Sequence, residues 1–312
     1  MDAITFRSAG VPCAAWHLPG QGDHFAGDHG RPCVVMAHGF GGTRDTGLLG
    51  YAEGFAAAGL DVLLFDYRGF GDSGGSPRQH VSFRRQHVDY VAAIAAARQL
   101  PGVDPERIVL WGTSYSGGHV VPVAVADGRI AAVVSMTPAM DGLAALMAMY
   151  RHGGLGRLLP LVVHGLRDAA RGLFGRAPHH IPVVGEPGSN AVLTAPGALA
   201  GYTALAGPTW RNEVRARVAL EVAFNRPIGR ASRLRSPLLV QVGANDSVAP
   251  PAAARSTAER TGGPAELREY PVDHFDVYDG PVQQRLLADQ VAFLRQHVPG
   301  HTIPTTIEVR TA

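Results

Sequence analysis

The chain has 312 residues, 46% of them hydrophobic and 17% charged, with a formal net charge of +2 at pH 7. The charged share lies below the roughly one quarter of an average soluble domain, and the near balance of signs gives no electrostatic footprint for nucleic acid. All 28 basic residues are arginine, which excludes Schiff-base catalysis, lysine-bound pyridoxal phosphate and the usual phosphate-binding P-loop.

Short β-branched runs bounded by turn residues predict eight strands, over residues 4–7, 11–17, 33–37, 62–65, 108–111, 132–135, 238–242 and 267–270. The first two, joined through Ser8, Ala9 and Gly10, predict an antiparallel hairpin. The others alternate with helical stretches such as 83–99 and 282–297, which predicts an α/β fold: an eight-stranded, mostly parallel sheet with helices on both faces. Cys13 and Cys33 lie in or near strands without metal or redox spacing, and buried free thiols are expected. Neither a metal nor a cofactor is expected. The glycine run at 70–75 follows a strand and fits a connecting loop better than a phosphate cradle. No stretch approaches about 18 uninterrupted apolar residues, so no membrane span is expected. Residues 1–13 lack a basic start followed by an apolar run, and the default location is cytoplasmic.

Residues 107–118 read RIVLWGTSYSGG: a buried-strand run, a tight Gly/Ser turn, then a stretch at 119–126 suited to begin a helix. A serine at the apex of such a junction projects its hydroxyl above the strand ends, and small neighbours are needed because the turn brings backbone close. Ser114, two residues after Gly112, is the candidate nucleophile. Ser116 is the rival, since it occupies the slot where the usual Gly-x-Ser-x-Gly spelling has its second glycine. A serine hydroxyl needs a general base and an acid to orient that base. The run 237–243 is another buried strand ending at Ala244 and Asn245, where Asp246 emerges as the candidate acid, with Asp141 as the alternative. His274, beyond the strand at 267–270, is the candidate base; most other histidines, such as His17 and His87, are expected on surfaces or in structural hydrogen bonds.

Five segments, HGFGG (38–42), FDYRGFGDSGG (65–75), GTSYSGG (112–118), GANDSVAP (243–250) and DHFDVY (273–278), together resemble an α/β-hydrolase-fold serine hydrolase. They are similar to the broad group of serine aminopeptidase-like, dienelactone-hydrolase-like and cocaine-esterase-like enzymes. The resemblance covers about two thirds of the chain, and the order Ser114, Asp246, His274 is the order of that fold. It implies an oxyanion hole made by the backbone N–H groups of Phe40 and Tyr115, with His38 bracing the loop rather than reacting. Two departures are Ser116 in the second glycine slot and Asp273 immediately before the histidine.

Between the sixth and seventh predicted strands, residues 141–235 change to short helix-like pieces broken by Gly and Pro, too long for a connection and expected as a helical cap inserted into a core of 1–140 and 236–312. This segment holds twelve arginines against five acidic residues, while the remainder holds sixteen against twenty-one. The excess is expected on a solvated face, with attraction of a carboxylate, phosphate or anionic carrier group as the alternative. The apolar runs at 143–150 and 158–163 are expected to pack on the core and to line an acyl pocket, and 155–174 to be a core-packing helix rather than a membrane-surface one.

The chemistry expected is two-step acyl transfer by a serine hydrolase on a small to medium, partly apolar ester, thioester or lactone, with a homodimer allowed. Alternatives are an exopeptidase of the prolyl or Xaa-Pro type, a carbon–carbon hydrolase, lyase or cyclase on the same triad, and a binding protein without turnover.

Overall fold

Period-two alternation along each strand decides which side of the sheet a residue covers. The computed structural model describes residues 1–300, so the last twelve residues of the expected core segment 236–312 lie outside the described residues. In chain order the strands are β1 (Asp2–Ser8), β2 (Val11–Leu18), β3 (Arg31–Ala37), β4 (Asp61–Phe65), β5 (Val103–Thr113), β6 (Ala132–Met136), β7 (His180–Ile181), β8 (Val214–Arg215), β9 (Leu238–Gly243) and β10 (Ala265–Tyr270). All but β7 and β8 form one sheet, in the order β1-β2-β4-β3-β5-β6-β9-β10. The β1–β2 and β2–β4 pairs are antiparallel and the others parallel, as the hairpin and the alternating pattern predict.

The helices are α1 (Leu49–Ala58), α2 (Phe83–Ala97), α3 (Ser114–Asp127), α4 (Gly142–Leu173), α5 (Ala198–Leu205), α6 (Val218–Glu221), α7 (Pro251–Arg260) and α8 (Gly280–His297). Val35 and Ala37 of β3 face a core shared with Tyr90 and Ile94 of α2, whereas Val34 and Met36 face Tyr51 and Phe55 of α1 and Phe293 of α8. Strands covered on both faces read as continuous apolar runs, which is why β3, β4 and β6 stand out in the sequence. Cys13 and Cys33 are buried free thiols, and burial raises both pKa values, that of Cys13 to about 12.

A buried row of hydrogen bonds fixes α8 against the strands. The Trp111 indole donates to Gln290 Oε1 (3.0 Å), Gln290 donates to Gln241 Oε1 (2.6 Å), and Gln241 donates to the Tyr270 hydroxyl (2.8 Å). Satisfied buried polar groups of this kind stiffen their surroundings. The row locks the C-terminal halves of β5, β9 and β10, the strands from which the site's groups emerge.

The stretch between β6 and β9 differs from its expected character. Besides helical pieces it contains the β7–β8 pair, and α4 is broken at Gly154, whose φ is +58°. One side of α4 packs inward through Leu161 and Asp168, but its apolar residues at 3–4 spacing on the other side remain open: Leu155 is 59%, Leu159 54%, Val163 62% and Leu166 55% exposed. The expectation that 155–174 and 158–163 pack on the core is therefore overturned for that face, and that for 143–150 is overturned for Leu143, Met147 and Tyr150, which are 41%, 45% and 45% exposed. The reason is that α4 is apolar on two sides and only one meets the protein.

The arginines of this stretch are largely engaged locally. Asp168 accepts from Arg215 (3.2 Å) and Arg217 (2.6 Å), and Arg157 donates to the Ser189 and Ala191 carbonyls (3.0 and 2.6 Å). Burial opposes the charge on Asp168, but the bonds from Arg217, the His179 N–H and Arg215 prevail and hold its pKa at about 2.

Candidate active site

In the sheet order, β4 lies on one side of β3 and β5 on the other. The chain therefore reverses direction across β3, and the loops leaving β3 and β5 part to leave a crevice at the strands' C-terminal ends. The loop 38–42 and the turn 113–116 face each other there. A methyl group on Gly112 would meet the Ser116 carbonyl at 2.3 Å, so that position requires glycine, and one on Gly39 would press on Ser114 Cβ at 3.1 Å, a close approach of the loop to the turn.

Ser114 starts α3 with φ at +54°, a left-handed conformation that costs a non-glycine residue about 1–3 kcal/mol. This strain turns its hydroxyl out of the helix and toward His274. The Ser114 Oγ to His274 Nε2 distance is 3.0 Å, and His274 Nδ1 lies 2.7 Å from Asp246 Oδ2. Ser114 is 9% exposed and His274 2%. The other oxygen of Asp246 accepts from the Val248 and Ala249 N–H groups (2.9 and 2.7 Å), which fixes the carboxylate and orients the imidazole. Three segments distant in sequence thus converge in one hydrogen-bonded row.

The alternatives weighed from sequence lie elsewhere. Ser116 is fully buried, accepts from the Thr113 N–H (2.9 Å) and donates to the Ala37 carbonyl (2.7 Å), so its hydroxyl ties the turn to β3. That explains a serine where the usual spelling has glycine. Asp141 caps α4 by accepting from the Leu143 N–H (3.0 Å) and pairs with Arg226 (2.9 Å). Asp273 turns away from the imidazole: it accepts from the Ser247 N–H (2.8 Å) and the His274 N–H (2.7 Å). Burial works against its charge, but these bonds prevail and hold its carboxyl below the ordinary value.

Phe40 and Tyr115 flank the serine, their rings edge to face at 5.5 Å. The Tyr115 amide sits in the first turn of α3, where N–H groups have no intrahelical acceptor. His38 is buried, with Nδ1 3.0 Å from the Gly39 carbonyl and Nε2 positioned to accept from the Tyr67 N–H at 3.5 Å. Burial lowers its pKa, so the neutral ring, donating from Nδ1, braces the loop.

The recess at Ser114, about 390 Å³ including its open mouth, is lined by Phe40, Leu193, Leu205 and Phe275 with the hydroxyls of Thr46 and Tyr278. No arginine and no carboxylate is among the lining residues, and those from the β6–β9 stretch are Leu193, Tyr202 and Leu205 rather than any from 143–163. Sequence reasoning missed these, along with Tyr278, whose hydroxyl is 2.6 Å from Thr113 Oγ1. Their one signal is an aromatic or aliphatic residue set among small ones, as in ALAGYTALAGPTW (198–210). Among the described residues no group of His, Cys, Asp and Glu is arranged to hold a metal.

A family model described as serine aminopeptidase, S33, matches residues 28–272. The quorum-quenching protein AidA of Acinetobacter baumannii is 41% identical over 299 residues, covering 95% of each chain. The thiohydrolase aneE of Aspergillus aculeatus is 40% identical over 121 residues, 39% of this chain and 38% of that one. Among solved structures, the α/β hydrolase GrgF of Penicillium superposes with a TM-score of 0.81 at 25% identity, covering 95% of this chain and 98% of that one.

Proposed function

The chain belongs to the serine aminopeptidase S33 family of α/β-hydrolase-fold enzymes and is a hydrolase, and from that premise we propose that Ser114, His274 and Asp246 are its catalytic triad. The observation that carries the reading is the hydrogen-bonded row itself, 3.0 Å from hydroxyl to imidazole and 2.7 Å from imidazole to carboxylate. Ser114 Oγ attacks a carbonyl carbon while its proton passes to His274 Nε2. The carbonyl oxygen takes up negative charge beside the amides of Phe40 and Tyr115. His274 then returns the proton to the leaving group, and water repeats the sequence to release the acid. Asp246 holds the imidazole in the required tautomer and stabilises the imidazolium.

The substrate is a small to medium ester, thioester or lactone whose acyl part is uncharged, because an apolar recess without arginine or carboxylate disfavours a charged group. The same absence of carboxylates speaks against recognition of a free α-amine, and so against the exopeptidase reading. The thiohydrolase name of one relative supports the thioester arm, and the quorum-quenching name of another supports a signalling compound as the small substrate. The stretch 141–235 acts as a cap, contributing Leu193, Tyr202 and Leu205 to the recess. No helix among the described residues is long and apolar enough to cross a membrane, and the cytoplasm is the proposed location.

Replacing Ser114 by alanine is expected to abolish both turnover of p-nitrophenyl acyl esters and labelling by a fluorophosphonate, with a loss of at least about 1,000-fold. Full labelling of Ser114→Ala would assign the nucleophile to another residue. A panel of esters, thioesters and lactones of matched acyl length ranks the three classes, and preference for an aminoacyl-proline amide would restore the exopeptidase.

A further inference from the structure

Tyr202 and Trp210 stand between β7 and β8, far in sequence from every segment that supplies the triad, yet both reach the loop beside Ser114. The Tyr202 hydroxyl donates to the Phe40 carbonyl (2.8 Å), and the Trp210 indole N–H donates to the Gly41 carbonyl (3.1 Å). Their rings stack at 5.1 Å, and Tyr202 also meets Phe275, the residue after His274, at 5.8 Å. Tyr202 is 6% exposed, so its hydroxyl has little access to water as an alternative partner. A second tie lies at the loop's far end, where Asp45 accepts from the Thr209 N–H (3.0 Å).

A trans peptide is planar, with its N–H opposed to its C=O, so anchoring a carbonyl fixes the direction of the amide in the same plane. The Gly39 carbonyl, whose plane carries the Phe40 N–H, is held by His38 and by the Gly42 N–H (3.0 and 3.3 Å). The next two planes, carrying the N–H groups of Gly41 and Gly42, are held by Tyr202 and Trp210. Gly41 sits at φ +66°, where the backbone has wide freedom and gives no direction by itself. Its setting depends on what grips the adjoining carbonyls.

We propose that Tyr202 and Trp210 are positioning residues for the anion-stabilising loop, so that the stretch between β6 and β9 is part of the catalytic apparatus as well as a wall of the recess. The inference rests on the assignment of Ser114 as nucleophile and of this loop as the site of oxyanion binding. Neither residue touches the reacting atoms; Tyr202 fixes the peptide plane that follows Phe40, and Trp210 fixes the plane whose Gly42 N–H holds the Gly39 carbonyl, so together they keep the Phe40 N–H aimed before charge develops, and such preorganisation is worth most in the transition state.

The test uses Tyr202→Phe, which keeps the ring, and Trp210→Phe, which keeps a smaller aromatic ring, in the full chain; each removes one donor. Each is expected to lower kcat about tenfold, near the worth of one hydrogen bond, with KM changed less than about twofold. Affinity for an alkyl trifluoromethyl ketone should fall by the same factor. In that adduct Ser114 Oγ adds to the ketone carbon, its proton passes to His274, and the oxygen carries the negative charge the loop must bind. Binding of a 1-alkanol of the same chain length, which has no carbonyl and forms no oxyanion, should stay constant. Thermal midpoints separate damage to folding from damage to rate, and two independent variants guard against the loss of either. Unchanged kcat in both folded variants, or equal weakening of ketone and alkanol, would overturn the inference and leave the pair as pocket wall. Ser114→Ala, assayed beside them, tests the premise separately: retained fluorophosphonate labelling removes the nucleophile assignment and this inference with it, whereas lost labelling with unaltered Tyr202→Phe kinetics removes the inference alone.

Discussion

The α/β core and the stretch between β6 and β9 hold their polar groups by different means. In the core, Ser114, Asp246 and His274 follow strands whose backbone is already fixed by the sheet; they bond to one another, and Asp246 is held by the neighbouring Val248 and Ala249 amides. In the inserted stretch, where β7 and β8 have two residues each, side chains do the fixing: Arg215 and Arg217 close on Asp168, and Arg157 grips carbonyls. The lesson is that losing a side chain of the hydrogen-bonded row should harm rate, whereas losing an ion-pair partner of the inserted stretch should harm stability, with Tyr202 and Trp210 as the inserted side chains that reach the loop beside Ser114.

The sharpest break of that contrast is Asp246→Asn. It keeps the Oδ1 acceptor for Val248 and Ala249 but favours the wrong imidazole tautomer, and a loss near 10,000-fold in kcat with little change in thermal midpoint is expected, by analogy with the serine protease triad. A comparable fall for Asp141→Asn would return the acid role to the residue that caps α4. Next in size is Asp168→Asn, which leaves two guanidinium groups, one of them 6% exposed, without their carboxylate. A loss of about 3–5 kcal/mol is expected in urea unfolding, with kcat of the remaining folded enzyme preserved. Rate loss without destabilisation would erase the distinction between the two regions.

Acid titration probes the core from another side. His38, His87 and His119 are held neutral by burial, with the pKa of His87 lowered to about 4 from 6.5. The unfolded chain therefore takes up these protons first. The stability linked to His87 is fully present above pH 6.5 and is lost as pH falls toward 4, by about 1.4 kcal/mol per pH unit, and His38 and His119 act in the same direction. Urea midpoints that stay flat between those limits would mean the rings are charged in the folded state. The smallest effect is expected from Asp273→Ala, which frees Ser247 and the His274 amide; about 1 kcal/mol, seen as a kcat decrease of tenfold or less, is anticipated from steady-state assays. A loss as large as that of Asp246→Asn would make Asp273 a direct partner of the imidazole.

Periodic backbone explains what was legible. The central strands and the positions of Ser114 and Asp246 follow from apolar runs ended by turn chemistry, since a parallel strand buried on both faces has to be apolar throughout, whereas β1, β2 and β10 follow from alternation between turn residues. The role of Ser116 was not legible: a serine near the nucleophile gives the same letters whether its hydroxyl faces the recess or the Ala37 carbonyl. The face of α4 was not legible either, because Leu161 and Leu159 are equally apolar and only docking decides that the first is 5% and the second 54% exposed. Tyr202 and Trp210 carry no periodic signal, as each reaches across more than 160 positions of sequence to its carbonyl.

Composition and pattern on their own pointed to the fold class, excluded lysine chemistry and narrowed the serine, aspartate and histidine candidates, because each is written in local residue type and spacing. Tertiary packing alone settled which serine faces the imidazole, where the aspartates point and which inserted side chains hold the loop. Those outcomes depend on distances between remote segments, and hydrogen-bond direction at a turn is set by the partner that folding brings to it.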